Sequence, residues 1–180
     1  MNNIIKLYED AINNNNFKAM YILGDKYYRG DKIEQDYDLA MFYFRMAARY
    51  NYGRAEFNIG KMYESGLGVI KSYEKAIEWY KLASTHGEVK ALESMGDVYL
   101  AKEEFIKAFK LYNMAYENYE DKNDAAVVML KIGYLYIYGR GVDKNRAKAL
   151  EWLKMVLKTG NKSVTKIIGE EFNIDIFKTL

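Results

Sequence analysis

The chain lacks cysteine and proline, and it has a single histidine among its 180 residues. Without cysteine there can be no disulfide and no thiolate metal site, which excludes a disulfide-stapled secreted module and favours the cytoplasm. Without proline the strongest helix breaker is missing, whereas alanine, leucine, methionine, lysine and glutamate are good helix formers. The composition therefore predicts an all-helical protein.

Net charge and long apolar runs are also scarce. The formal net charge is +2, from 27 Lys and Arg against 25 Asp and Glu, so no strong field indicates nucleic acid or an anionic membrane as a partner. The run of about 18 apolar residues that a membrane helix needs does not occur, and neither does a basic segment followed by an apolar one at the N-terminus. We expect a soluble, cytoplasmic protein.

Glycine-centred segments recur along the chain, 36 or 37 residues apart. Their sequences are AMYILGDKY, AEFNIGKMY, ALESMGDVY, VMLKIGYLY and VTKIIGEEF. A second apolar pattern at helical spacing follows, for example Ala76, Tyr80 and Ala83 after Gly60. A fixed period of this length indicates a repeat architecture in which each repeat is a pair of helices, A and B.

Small residues in these positions predict close contacts between helices. A glycine inside a helix costs about 1 kcal/mol relative to alanine, so its recurrence implies a packing need. Gly60 and Ala76 leave little side chain where two helices meet, and the large ring of Tyr80 can fill the remaining volume. One helix pair cannot bury its apolar faces, so neighbouring repeats should stack and the terminal half-repeats should cap the stack.

Two further glycine pairs, in YESGLGV (63–69) and YIYGRGV (136–142), raise the question of a phosphate-binding loop. Such a loop normally follows a strand and presents backbone N–H groups at the start of a helix. Here the glycines follow a predicted helix, and no Gly-Lys-Ser/Thr is present. Glycine suits the left-handed conformation that ends a helix, so we interpret both pairs as helix-terminating turns.

These residues resemble the Sel-one-like repeats (SLR), which are related to the tetratricopeptide repeats. That pattern has an A helix with A-x-x-x-L-G-x-x-Y, a G-x-G-V loop and a B helix with A-x-x-W-Y-x-x-A. The second repeat matches it at Ala55, Ile59, Gly60, Tyr63, Gly66, Gly68, Val69, Ala76, Trp79, Tyr80, Ala83 and Gly87. The third repeat departs from it, because the G-x-G loop is deleted and the remaining spacing is that of a tetratricopeptide repeat.

The resemblance implies an all-α fold, a right-handed α-solenoid superhelix of antiparallel helix pairs with about ten helices. It also implies one repeat domain over residues 1–180. Its predicted parts are an N-terminal half-repeat cap (1–16), four repeats (17–52, 53–88, 89–124 and 125–160) and a C-terminal half-repeat cap (161–180).

The sequence offers little to catalysis. His86 stands beside Gly87 and is more simply a helix-end or loop residue than a general base. The carboxylates do not cluster in a metal-ligand spacing, and sequential pairs such as Glu103 and Glu104 point in different directions on a helix. We therefore predict no enzyme activity, no metal and no cofactor; an enzyme would need a site that these residues do not suggest.

The resemblance also implies that the A helices line a concave face where ligands bind. The residues carried over to that face are Lys18, Tyr21, Asp25, Tyr28, Arg54, Phe57, Lys61, Glu64, Lys90, Glu93, Asp97 and Leu100. Lys18, Arg54 and Lys90 share one repeat position, so we expect them to form a row of cations, the basic ladder. Such a groove suits a peptide or protein segment of mixed charge; the alternative is an ordinary solvated helix face.

The fourth repeat carries an apolar stripe where the earlier repeats are polar. Its members are Val127, Leu130, Tyr134, Ile137 and Tyr138, of which Tyr134 and Tyr138 also count as candidate partner-binding residues. Such a patch should be covered or used. Either the tail 174–180 folds back onto it, or the stripe is a homodimer or partner interface.

Taken together, the sequence predicts a non-enzymatic protein–protein interaction module, an adaptor that binds a protein or peptide segment in a concave groove. Two alternatives remain open at this point. The chain could be a structural protein that self-associates through the apolar stripe, or a neutralising partner of a toxin, which is a role that the resemblance allows.

Overall fold

The structure is a computed structural model that describes residues 2–171 of the chain. This part of the chain forms helices joined by short loops and contains no strand. The helices are α1 (Asn2–Asn13), α2 (Phe17–Arg29), α3 (Tyr37–Ala48), α4 (Gly53–Ser65), α5 (Tyr73–Thr85), α6 (Lys90–Ala101), α7 (Phe105–Asn118), α8 (Ala126–Tyr138), α9 (Arg146–Lys158) and α10 (Lys162–Glu171). Even-numbered helices α2 to α8 contain the repeated glycines and are the predicted A helices.

Polar side chains and glycines set the helix ends. The side chains of Asn16, Asp36, Ser72 and Asn145 accept hydrogen bonds from backbone N–H groups in the first turns of α2, α3, α5 and α9. These bonds satisfy donors that the helix itself leaves unpaired.

The glycine pairs end helices, as predicted. Gly66 and Gly139 follow α4 and α8 in the left-handed conformation, with φ of 73° and 66°. Each donates its backbone N–H to the carbonyl four residues earlier, Met62 and Leu135. Glycine is favoured there because it has no Cβ to clash.

The helices group into two compact units, one ending at Ala91 and the other beginning at Leu92, within α6. In the first unit, α1 to α5 pack in chain order, each helix against the next. In the second unit, α7 packs on α8, α8 packs on α9, and α10 contacts both α8 and α9.

An aromatic ring lies directly over the repeated glycine in three repeats. A Cβ added to Gly60 would lie 2.5 Å from Cε1 of Tyr80, and one added to Gly24 would lie 2.6 Å from Cδ1 of Phe44. Tyr112 covers Gly96 in the same manner. All three rings are fully buried, so the close helix contact predicted from the glycines is present in these repeats.

The fourth repeat is packed differently, because a leucine replaces the ring. A Cβ on Gly133 would lie 3.5 Å from Leu153 Cδ2, which is an ordinary van der Waals distance. The third repeat has the deletion that its sequence indicates: only residues 102–104 join α6 to α7, and Glu103 adopts a positive φ of 58°.

Candidate partner-binding surface

Within the first unit, half-buried aromatic rings of α2 and α4 form the floor of the predicted surface. Tyr21 packs against Phe44 and Tyr52, with ring centroids 5.8 and 5.2 Å away, and its hydroxyl accepts a hydrogen bond from Asn58 Nδ2 at 3.5 Å. Burial raises the pKa of the Tyr21 phenol above its ordinary value. Phe57 packs against Tyr80, with 5.6 Å between centroids. These contacts hold the rings in fixed positions.

Lys61 connects the first two repeats across this floor. Its Nζ lies 5.7 Å from the ring centroid of Tyr28 and 5.9 Å from that of Phe57. A cation at such distances from two ring faces is attracted by both. Three predicted residues of two different A helices are therefore brought together in the first unit.

The carboxylates predicted for this surface make contacts within the chain. Asp25 Oδ1 accepts from Arg29 Nε at 2.9 Å, an i,i+4 pair on α2. Glu64 Oε2 accepts from the hydroxyl of Tyr80 at 2.5 Å. Both acidic groups therefore support the local structure of the face.

The members of the basic ladder, Lys18, Arg54 and Lys90, are exposed. Each occupies the first or second residue of its A helix, α2, α4 or α6. Among the described residues, none of the three forms an ion pair with a carboxylate. Cations are electrostatically disfavoured at a helix N-terminus, by about 0.3–1 kcal/mol each.

In the second unit, Glu93 and Asp97 belong to a network centred on Lys131 of α8. Lys131 Nζ lies 2.8 Å from Glu93 Oε1 and 2.7 Å from Asp97 Oδ1. Tyr112 donates its hydroxyl to Asp97 at 2.8 Å, and Tyr119 donates to Glu93 at 3.3 Å. Both predicted residues thus meet each other through a lysine that the repeat pattern does not indicate. The sequence feature that could have identified Lys131 is that it is the only charged residue of α8.

The apolar stripe of the fourth repeat is covered in part. Leu130 and Tyr134 line a cavity of about 230 Å³ together with Leu100 of α6 and Ile167 of α10. Val127 and Tyr138 remain 38% and 52% exposed, and Ile137 is half-buried. The tail 174–180, which the sequence places over this stripe as one hypothesis, lies outside the described residues.

Tyr134 and Tyr138 form a small aromatic cluster at the end of α8. Their ring centroids are 4.5 Å apart, and the Arg140 guanidinium carbon lies 5.7 and 5.8 Å from them. Phe105 of α7 contacts the same guanidinium at 5.2 Å. Arg140 therefore contacts the rings of Tyr134 and Tyr138, which the sequence predicts to bind a partner.

His86 has a structural partner that the sequence pattern does not indicate. Its Nδ1 lies 2.7 Å from Oε2 of Glu56, and the Glu56 side chain is only 3% exposed. Among residues 2–171, no three His, Cys, Asp or Glu side chains come together in a group that could hold a metal ion. No helix in that range is long and apolar enough to cross a membrane.

Comparisons with known proteins identify a family with this repeat pattern. The family model described as "Sel1 repeat" matches four segments, residues 17–51, 53–88, 95–119 and 126–155. No curated protein sequence matches the chain.

Two solved structures are similar over most of the chain. The Sel1 repeat protein from Oxalobacter formigenes shares 30% identity and a TM-score of 0.76, over 91% of this chain and 66% of that one. The c5321 protein, a protective antigen of uropathogenic Escherichia coli with an SLR fold, shares 28% identity and a TM-score of 0.79. The match to c5321 covers 93% of this chain and 35% of that protein, so this chain spans about a third of its length.

The predicted fold class is confirmed: the chain is all-α, an α-solenoid of helix pairs. Proteins with these repeats generally mediate protein–protein interactions, and their fold is typically a non-enzymatic scaffold. Since the four matched segments together make up more than half of the chain, it belongs to the Sel1 repeat family.

Proposed function

We propose that the chain is a non-enzymatic, cytoplasmic adaptor that binds a protein or peptide segment on the face of its A helices. The observation that carries this proposal is the basic ladder of Lys18, Arg54 and Lys90. These cations recur at helix N-termini, where the helix dipole opposes them, and none has a carboxylate partner among the described residues. A partner with acidic side chains would supply the missing countercharge.

The rings beside the ladder support the same surface. Tyr21, Tyr28 and Phe57 are half-buried, so each presents part of a rigid ring while its other face is held by the core. Aromatic residues and cations of this kind are enriched in protein interfaces and lose little entropy on binding. The full set of proposed binding residues is Lys18, Tyr21, Asp25, Tyr28, Arg54, Phe57, Lys61, Glu64, Lys90, Glu93, Asp97, Tyr134 and Tyr138. A single repeat domain over 1–180 stays part of the proposal.

Affinity capture from the lysate of the native cell tests this function. The ladder variant Lys18→Glu, Arg54→Glu, Lys90→Glu is compared with wild type and with a control of equal charge change. Lys81→Glu, Lys110→Glu, Lys154→Glu serves as that control, since these lysines are exposed on B helices. We expect a protein that wild type and control retain and the ladder variant loses, with helicity unchanged by circular dichroism. Equal retention by all three would reject the A-helix face.

Self-association through α8 is the second candidate. Val127 and Tyr138, 38% and 52% exposed, are eleven positions apart on α8 and so share one side of the helix. A homodimer through this side would bury both. The molar mass measured by light scattering over a hundredfold range of concentration tests this dimer. A mass that equals or rises toward twice that of one chain supports the dimer, and a mass that stays at that of one chain rejects it.

A further inference from the structure

A second open surface lies away from the ladder, in the first unit. It is a cleft of about 630 Å³ between α3 and α5, above residues of α4. Arg45 of α3 and Arg49, which directly follows that helix, line one side of the cleft. Lys75, Trp79 and Leu82 line it from α5. Clefts of this size hold a drug-sized molecule or a few side chains of a peptide.

The cations of this cleft are held by groups that leave their charge uncompensated. Arg45 Nη2 donates to the hydroxyl of Tyr63 at 3.0 Å, and Lys75 Nζ lies 5.3 Å from the same ring centroid. Tyr63 is neutral, so it orients both cations without pairing either. Arg49 is exposed and forms no ion pair within the described part of the chain.

The carboxylates of the cleft do not offset these three cations. Glu56 is buried and is bonded to His86, with 2.7 Å between Oε2 and Nδ1. Glu78 is exposed on α5 and makes no ion pair with a described residue. The open part of the cleft therefore holds three basic side chains, Arg45, Arg49 and Lys75, and one exposed carboxylate, that of Glu78.

The floor between the cations is apolar. Leu82 is 45% exposed although it lies in the cleft, and Trp79 is half-buried. The indole of Trp79 and the side chain of Leu82 lie among basic side chains. This arrangement is complementary to a peptide segment in which acidic side chains flank an apolar one. A small inorganic anion would leave this floor uncovered.

We propose that the cleft between α3 and α5 binds an acidic segment of a partner protein, with an apolar side chain of that segment on Trp79 and Leu82. This site is separate from the A-helix face and does not depend on the proposed function. If the A-helix face also binds a partner, the chain would hold two protein segments on different helices.

Trp79 reports on this site directly. The chain has two tryptophans, and Trp152→Phe removes the other while keeping an aromatic ring against Tyr116, its edge-on neighbour. The probes are the peptide Glu-Glu-Glu-Leu-Leu-Glu-Glu-Glu and its counterpart with glutamine in place of glutamate. In the Trp152→Phe protein we expect the acidic peptide to change Trp79 emission saturably, and the glutamine peptide to give no saturable change.

Single charge variants in the same background assign the binding to the cleft. Arg49→Glu should lower the affinity for the acidic peptide by about tenfold, and Arg49→Gln should lower it by an intermediate factor. Lys81→Glu, an equal charge change on another side of α5, and Lys18→Glu on the ladder should each weaken it less than about twofold. Arg49→Gln keeps the test valid if the acidic variant disturbs the end of α3, and circular dichroism checks the fold.

Several results would overturn the proposal. One is the absence of a saturable Trp79 response to the acidic peptide. A second is an equal loss of affinity in Lys81→Glu or Lys18→Glu, which would mean a general charge effect or binding on the ladder. A third is inorganic phosphate that reproduces the Trp79 change and displaces the peptide at equal concentration, which would make the cleft a site for small anions.

Discussion

At the scale of single residues, the repeats depend on pairing each A-helix glycine with one B-helix side chain. Where that side chain is an aromatic ring, as in Phe44, Tyr80 and Tyr112, the ring fills the space that a Cβ would need. Where it is Leu153, a Cβ on Gly133 would make only ordinary van der Waals contacts, the nearest at 3.5 Å. The glycine at this repeat position is therefore needed for close helix packing in three repeats, and it is less needed in the fourth.

Gly60→Ala should consequently lower the free energy of unfolding, whereas Gly133→Ala should leave it unchanged or raise it. The first places a methyl group 2.5 Å from the buried Tyr80 ring, and overpacking of this kind costs about 1–3 kcal/mol. The second meets only ordinary contacts and gains helix propensity, so it should be neutral or stabilising by up to about 1 kcal/mol. Urea unfolding of both variants measures the difference; equal destabilisation would contradict the packing argument.

The Glu56–His86 pair should stabilise the first unit. His86→Ala leaves a carboxylate that is 3% exposed without its hydrogen-bond partner, which costs about 1–3 kcal/mol. Adding Glu56→Gln to His86→Ala removes the buried charge and should recover part of that loss. The free energy of unfolding of the single and double variants tests this, and a double variant that is no more stable than His86→Ala would argue against the pair.

At the scale of helices, α8 shows what the repeat pattern leaves out. The pattern predicts an A helix around VMLKIGYLY that ends at the glycine pair of residues 139–141. It does not predict that Lys131 reaches Glu93 and Asp97 on α6, because that contact depends on how the two helices are rotated relative to each other. Sequence therefore located the candidate residues of the second unit but not their partners.

Lys131→Met should destabilise the second unit. The substitution leaves Glu93 and Asp97 close together without their shared cation, at side-chain exposures of 18% and 38%. With allowance for solvent screening at these exposures, the expected cost is about 1–2 kcal/mol. Neutralising both carboxylates in the same chain, with Glu93→Gln and Asp97→Asn, should restore most of it. If Lys131→Met alone unfolds at the wild-type urea midpoint, the network contributes nothing to stability.

Alkaline pH should also weaken the contact between α6 and α7. Burial, and after it the neighbouring Asp97 carboxylate, raise the pKa of Tyr112 well above its ordinary value of 10.0. Below pH 10 both folded and unfolded chains hold this proton; above it only the unfolded chain releases it. The free energy of unfolding should therefore fall as pH rises above about 10, by up to about 1.4 kcal/mol per pH unit from this phenol.

The variant Tyr112→Phe isolates that contribution. Its unfolding free energy should fall less steeply between pH 10 and pH 11 than that of wild type. Some slope should remain, because burial also raises the pKa of the Tyr8 phenol. Identical slopes in wild type and variant would show that Tyr112 ionises in the folded protein.

At the scale of the whole molecule, most of the fold could be predicted from the sequence, and the binding partner could not. The spacing of the repeated glycines and alanines predicts the helix pairs. The left-handed turns at Gly66 and Gly139 are predicted from their place after a helix and from glycine's tolerance of that conformation. A binding surface is set by side chains that packing leaves free. Spacing could not show that the carboxylates of Asp25, Glu64 and Glu93 bond to other side chains. Nor could it show that, within residues 2–171, Lys18 and Arg54 form no ion pair with a carboxylate.

Photocrosslinking shows whether a partner protein lies on the A-helix face. The photoreactive residue p-benzoylphenylalanine replaces Tyr21 on α2 in one variant and the exposed Met114 on the B helix α7 in another. Both leave the basic ladder intact. After irradiation with the captured partner, we expect a covalent adduct from the Tyr21 position and none from the Met114 position. An adduct from Met114 alone would contradict it.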